Sequence, residues 1–258
     1  MKQRLQKAIA QAGITSRRKA EKLILENRVK VNGIIVNQLG SSVDSKDIIT
    51  IDDKPIEKEE LVYFLLNKPR KYVCTVSDEH NRDKIVDLID CHQRIFPVGR
   101  LDYDSTGLII LTNDGNFDNL LTHPSFHLPK TYRVTINAVL TKSDINSIKE
   151  GIILDDGIKT LPSEIKVVNY DLEKRKCTFE LTIYEGKNRQ IRRMMEALGY
   201  EVKKLHRLSF GPVRDDDLPI GAYRRLRPHE IKSLKEMASK GQLNKWDSFL
   251  SMKNLILV

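Results

Sequence analysis

FPVGRLDYDSTGLIILTNDG, spanning Phe96–Gly115, places one Arg-Leu-Asp between two apolar runs, with more polar residues close by than a plain strand needs. Short apolar runs bounded by turn residues read as buried strands. The stretch therefore predicts strands near 95–99 and 107–112, holding a short polar loop that contains Asp102. A lone carboxylate does nucleophilic or base work only when it is ionised and held in place. Burial raises its pKa; a nearby Arg lowers it again and fixes its orientation. Arg100, two residues earlier, would project to the same side if the strand continued that far. Without a partner, an Asp after a strand is a turn residue or part of a structural salt bridge. Asp104, Asp114 and Asp118 lie near, but no pair among them has a compelling acid/base or metal spacing.

A better partner lies far along the chain, in EGKNRQIRRMMEALGY, residues 185–200. Ile191, Met194, Met195 and Leu198 form an i, i+3, i+4, i+7 stripe, the signature of a helix packed on a core. Gly199 stands where a helix-terminating glycine belongs. Lys187, Arg189, Arg192 and Arg193 lie before and beside the stripe. Residues 185–214 hold eight Lys and Arg against three acids, which reads as a basic patch.

A second basic region opens the chain. Residues 1–30 carry nine Lys and Arg against two Glu, while residues 31–60 carry three Lys against seven acids. Leu5, Ile9 and Ala12 recur at helical spacing and Gly13 can stop that helix. Ser16 can cap a second helix with Ala20, Leu23 and Ile24 inside. Val29 and Val31 then alternate with charges, and Asn32-Gly33 is a hairpin turn signal. Arg17, Arg18, Lys19 and Lys22 make the helical half a sequence-independent grip on phosphates. Two such regions on two domains suit a long polyanion better than a small anion.

The whole chain agrees. Its 258 residues allow one or two domains, and 44 Lys and Arg against 35 Asp and Glu give a formal charge of +9. That balance attracts polyanions. Cys74, Cys91 and Cys177 are scattered without a Cys-x-x-Cys, which argues against zinc and disulfide frameworks and fits a reducing compartment. No apolar stretch approaches the roughly 20 residues of a membrane span, and the basic start lacks the apolar core of a secretory signal. These features point to a cytoplasmic protein.

Glu57–Glu60 reads as a linker. Beyond it, further strands are expected near 61–67, 131–137, 177–184 and 201–209, with helices over 116–122, 142–149 and 188–198. Thr141 with Asp144 resembles a capping box, and Pro228 starts a last helix. The expected division is 1–60, 61–235 and a tail, 236–258, of unassigned role.

Three blocks in order, GRLDYDSTGLIILTNDG, KTYRV and EGKNRQIRRM, resemble the ribosomal RNA pseudouridine synthases of the RsuA/RluB/RluE/RluF family. RLQKAIAQAGITSRRKAEKLI with VKVNG resembles the alpha-L RNA-binding module that commonly precedes that catalytic domain. The resemblance covers residues 1 to about 235. It implies an α+β chain: a small alpha-L RNA-binding domain, then a catalytic domain built on a mixed, mainly antiparallel sheet. It implies a reaction that breaks the C1′–N1 bond of a uridine in RNA and rejoins the uracil through C5, without metal, nucleotide or redox cofactor.

By the same resemblance Asp102 is the catalytic carboxylate, acting either at C1′ or as a base at C2′. Tyr132 stacks on a flipped base and assists proton removal from C5, and Arg192 pairs with Asp102 and keeps it charged. Arg100, Ile191, Arg189 and Lys187 are the expected substrate-binding residues, with Ile191 beneath the uracil. Arg4, Lys7, Ser16, Arg17, Arg18, Lys19, Lys30 and Asn32 are those expected to hold RNA. Asp104 and Asn113 shape the loop and its flanking strand. A base inside a duplex stack cannot reach a buried carboxylate, so flipping is expected. The overall pattern looks closest to the large-subunit, RluB-like branch, so the expected partner is 23S ribosomal RNA, naked or in an assembly intermediate, met by a monomer. A 16S target, or a non-catalytic ribosome assembly factor on the same scaffold, are the alternatives.

Overall fold

The computed structural model describes residues 2–171, 173, 175–214 and 217–240. They form two compact units. One comprises the chain up to Tyr63 together with 90–96 and 112–115; the other holds the remaining described residues.

The first unit runs β1 (Gln3–Arg4), α1 (Leu5–Gln11), α2 (Arg17–Leu25), β2 (Val29–Val31), β3 (Ile34–Ile35), β4 (Ser42–Val43), β5 (Ile49–Ile51) and β6 (Lys54–Pro55). Its core is Leu5, Ile9, Ala20, Ile24, Val29, Val43 and Ile49, the apolar stripes of both helices closed over the inward side of a small sheet ordered β3-β2-β5-β6. Ser16 caps α2, its hydroxyl accepting from the Lys19 amide at 3.3 Å. Asn32 and Gly33 both take positive φ, +52° and +82°, as a two-residue turn matched to strand twist requires. The end of the motif Phe96–Gly115 belongs to this unit. Asn113 Oδ1 accepts from the Val62 amide at 2.9 Å, Thr112 donates to the Val62 carbonyl at 2.6 Å, and Tyr63 donates to Asp114 at 2.9 Å. Burial and the Asp114 carboxylate hold the Tyr63 phenol protonated well beyond its ordinary range.

The second unit is organised on β7 (Tyr63–Lys68), β8 (Phe96–Pro97), β9 (Thr106–Thr112), α3 (Gly115–Thr122), β10 (Lys130–Ile136), α4 (Lys142–Glu150), β11 (Glu164–Asp171), β12 (Lys176–Ile183), α5 (Gln190–Ala197), β13 (Val202–Phe210), β14 (Val213–Arg214) and β15 (Tyr223–Arg225). Nine strands form one sheet, ordered β11-β12-β10-β13-β9-β7-β15, with β14 on β13 and β8 on β9. β10 pairs antiparallel with β12 and β13, as do β11 with β12, β14 with β13 and β15 with β7, whereas β9 and β13 run parallel with Arg207 opposite Gly107. A Cβ on Gly107 would stand 2.3 Å from the Arg207 amide nitrogen. Only glycine allows the strand after Asp102 to lie this close to β13.

The expected helices appear within a residue or two of their limits, α4 with a full capping box between Thr141 and Asp144. Helix α5 ends in a Schellman turn: the Tyr200 amide donates to the Met195 carbonyl and the Gly199 amide to that of Glu196. A helix covers 228–240; the tail from 241, with Trp246, lies outside the described residues. Two expectations need correction. The strand expected over 95–99 is only Phe96–Pro97, because Gly99 turns the chain at φ +68°. Arg100 and Asp102 therefore do not share a strand face. Strand β11 was not anticipated. It is an edge strand, mostly exposed, so it has no continuous apolar face to give a signal.

Candidate active site

Asp102 sits on the loop between β8 and β9, and the sequence explains how that loop is held. Lys68, at the end of the apolar β7, is fully buried. Its ammonium donates to the carbonyls of Pro69 at 3.0 Å, Asp102 at 3.2 Å, Tyr103 at 3.4 Å and Ser105 at 3.0 Å. Burial pulls its pKa below the usual lysine range. Cys74 holds the residue before Asp102 from the other direction: its Sγ lies 3.3 Å from both the carbonyl and the amide of Leu101. The Ser105 amide closes the turn onto the Asp102 carbonyl at 3.1 Å. The loop backbone is thus fixed while the Asp102 carboxylate remains about a quarter exposed. Tyr103 and Asp104 face outward, Asp104 lying 3.7 Å from Arg70.

The carboxylate faces two guanidinium groups. Arg192 Nε is 3.5 Å from Asp102 Oδ2, and Arg189 Nη1 is 3.9 Å from the same oxygen. Arg192 comes from the first turn of α5 and is itself steadied by the Val202 carbonyl at 3.0 Å. Arg189 takes a left-handed backbone just before that helix, φ +47°.

Around Asp102 lies a cavity of about 310 Å³, within the range that takes small ligands. Arg100, Asp102, Tyr132, Lys187, Arg189 and Ile191 all line it. Arg192 reaches the carboxylate but is not among the residues that line the cavity. Ile191 is buried. Lys187 lines the wall but its ammonium is spent on Glu185. Tyr132 is 7% exposed, and its hydroxyl accepts from Arg207 at 3.4 Å.

Sequence reasoning passed over Lys68, Lys130 and Arg207. Lys130 and Arg207 line the cavity too. The sequence offers little signal for these three: Lys68 ends β7, Lys130 begins β10, and Arg207 shares β13 with Lys203, Lys204 and His206. The basic patch expected over 185–214 does not form as one surface. Arg207 is interior, Arg193 binds Asp155 and Asp156, Lys203 binds Glu201, and Arg192 is turned to Asp102.

In the first unit Arg17, Arg18 and Lys19 are exposed at the start of α2. Arg4 is exposed ahead of α1, and Lys7 is half-buried on it. Three of the residues expected to hold RNA serve the fold: Ser16 as the cap, Lys30 in an ion pair with Asp53 at 2.5 Å, and Asn32 bridging Asp47 and the Ile48 amide at 2.9 Å each. Among the described residues no group of three His, Cys, Asp or Glu could hold a metal ion, and no helix is long and apolar enough to cross a membrane.

Residues 62–197 match the RNA pseudouridylate synthase family, and residues 3–49 match the S4 domain. The chain belongs to the RNA pseudouridylate synthase family. It is 45% identical to a ribosomal large subunit pseudouridine synthase B of Bacillus subtilis (strain 168), over 93% of this chain and 98% of that protein. It is 36% identical to the protein of the same name from Pseudomonas aeruginosa, over 91% of this chain and 62% of that one. The crystal structure of a pseudouridylate synthase superposes with a TM-score of 0.65 at 35% identity, covering 90% of this chain and 99% of the other. A pseudouridine synthase with an S4 domain is an isomerase of RNA uridines with its own RNA-binding module. The α+β architecture, with its mixed and mainly antiparallel sheet, is that of this family.

Proposed function

We propose that this enzyme isomerises a uridine of 23S ribosomal RNA to pseudouridine, with Asp102 as the catalytic carboxylate. The reading is supported most by one arrangement: Asp102 stands on a cavity wall, on a fixed backbone, with two guanidinium groups within 4 Å of a single oxygen. Arg192 pairs with the carboxylate and aims it. Tyr132, a buried ring on the same cavity, stacks on a flipped uracil; such stacking contributes roughly 1–3 kcal/mol. Ile191 supplies an apolar floor, and Arg100 and Arg189 meet the nucleotide at the rim. The large-subunit target follows the names of the relatives in Bacillus subtilis and Pseudomonas aeruginosa. The protein works as a cytoplasmic monomer, its S4 domain holding phosphates through Arg17, Arg18 and Lys19.

The test uses transcribed 23S and 16S RNA carrying tritium at uridine C5, each offered naked and in assembly particles. Tritium is expected in water from 23S RNA with wild-type protein and no cofactor. Asp102→Asn is expected to fold, to bind RNA with unchanged affinity, and to release none. Release from 16S RNA alone overturns the target. Turnover by Asp102→Asn overturns the role of Asp102. Tight binding without release from any form leaves an assembly factor.

A further inference from the structure

The cavity holds two cations that the Asp102 cluster does not use. Arg207 is 2% exposed; its Nε donates to the Leu108 carbonyl at 2.5 Å, its Nη1 to Tyr132, and its Nη2 has no hydrogen-bond partner. The Lys130 ammonium donates to the Leu128 carbonyl at 2.9 Å. Both cations lie over one ring, Lys130 Nζ 5.6 Å and Arg207 Cζ 5.1 Å from the centroid of Phe210. Neither is hydrogen-bonded to a carboxylate among the described residues. Burial, and then the Arg207 charge, bring the Lys130 pKa down to about 8. Glu185, the acid whose charge acts against that fall, is already engaged by Lys187, by Gln190 at 2.8 Å and by the Leu161 amide at 3.0 Å.

Arg207 is buried and Lys130 half-buried beside it; two like charges so placed, with no carboxylate on either among the described residues, are costly, and a fold keeps them where an anion is to arrive. Resting on the reading of the enzyme as a uridine isomerase, we propose that Lys130 and Arg207 are the electrophilic wall that receives the negative charge of the uracil when its glycosidic bond breaks. The C1′–N1 bond opens with its electron pair left on the ring, where N1 and both carbonyl oxygens share the charge. The ring turns and C5 supplies the pair for the new bond to C1′, as the Asp102 carboxylate leaves C1′ on the first route or as the proton it took returns to C2′ on the second. C5 then gives up its proton and N1 takes one, so atoms and charge balance with no co-reactant. The wall serves equally whether Asp102 acts at C1′ or at C2′, because both routes expel the same anion.

A backbone phosphate would be charged on arrival and would lose its water at the bottom of such a cavity. A uracil enters neutral and becomes charged only as the bond opens. Cations set beside aromatic faces therefore act in the transition state and little in the ground state, which is what accelerates a step.

The test compares leaving groups. Matched RNA substrates carry uridine or 5-fluorouridine at the target; fluorine makes the departing ring a better anion. Single-turnover loss of the starting nucleoside at saturating RNA is read by nuclease digestion and chromatography, because a C5 that carries fluorine has no proton to lose after the ring rejoins and its product keeps the fluorine. Lys130→Met is expected to slow conversion of uridine about 100-fold, the scale of one lost charge-stabilising donor, and that of 5-fluorouridine by much less, with RNA affinity unchanged. Lys130→Arg is expected to restore most of the rate. Arg207→Lys, which keeps the buried charge, is the folded counterpart to Arg207→Met and is expected to show the same leaving-group dependence.

Charged Lys130 is the competent form. In the free enzyme it is charged below its pKa and neutral above it, so wild-type kcat/KM is expected to fall as pH rises through about 8. Lys130→Arg is expected to remove that limb. Equal slowing of both bases, or a loss of affinity at unchanged rate, overturns the inference while wild-type activity upholds the reading beneath it. Wild-type protein inactive on every RNA overturns both.

Discussion

Helix α2 opens with Arg17, Arg18 and Lys19, all exposed. Helix α5 carries Arg192 and Arg193, with Arg189 directly before it. As sequence the two are alike: short helices crowded with cations, each with an apolar stripe. The first keeps its charge at the surface, with no acid in its first turn and no ion pair to any of the three cations among the described residues. It does so against its own dipole, since cations at a helix N-terminus cost about 0.3–1 kcal/mol each. The second commits its charge to carboxylates of its own chain, Asp102, Asp155 and Asp156. Counting Lys and Arg measures how much charge a segment has. Only the partners decide whether that charge is offered to a ligand or holds the protein together.

Lys68 is the extreme of the second kind, and breaking it gives the largest expected effect. Lys68→Met removes the ammonium that four backbone carbonyls share and leaves them facing an apolar chain. Removing one member of a buried charged network costs about 3–5 kcal/mol, so the midpoint of urea unfolding should fall accordingly. Because the lost contacts hold the Asp102 loop, the rate constant at saturating RNA should fall as well. A stability loss under about 1 kcal/mol would mean that water serves those carbonyls equally well, and the contrast between the two kinds of cation would weaken.

The same distinction explains what the sequence made legible. The stripe Ile191–Met194–Met195 and the glycine after it located helix α5, because local periodicity and local rules govern a helix. The pairing of Asp102 with Arg192, which lie far apart in the chain, came instead from the resemblance of the three motif blocks to a known family. The roles of Lys68, Lys130 and Arg207 depend on strands brought together from distant parts of the chain: Lys68 meets loop residues about 35 positions away, and Arg207 meets Leu108 across 99. A cation at the end of an apolar strand looks the same in sequence whether it ends in water or under a loop. Arg100 lines the cavity with Asp102, though not through a two-residue strand alternation, because the chain turns at Gly99.

Reversing the exposed cluster should act on binding alone. Arg17→Glu with Arg18→Glu is expected to weaken RNA affinity and to reduce the slope of log affinity against log salt by about 1.5, the share of two phosphate contacts. At saturating RNA the turnover rate should stay within about twofold of wild type, because Asp102 and its partners all lie in the other unit. The double variant should also melt no lower than wild type, since acids suit a helix N-terminus better than the cations they replace. An unchanged salt slope would remove these two residues from the RNA-binding surface and with them the first half of the comparison.

The smallest effect is expected at Arg193, one residue from Arg192 and equally basic in sequence. Its guanidinium lies 2.7 Å from Asp156 and also binds Asp155, and it holds the Asp156 carboxylate below its ordinary range. Both acids are substantially exposed, so water competes for the pairs and little stability is at stake. Arg193→Gln should lower the melting temperature by no more than about 2 °C and leave the salt slope of RNA binding where it was. A cation already matched by two carboxylates has no counterions to release when a phosphate arrives. If Arg193→Gln instead reduced the salt slope as much as a single α2 substitution does, its ion pairs would have to open on RNA. The charge of α5 would then be shared between fold and ligand rather than committed to the fold.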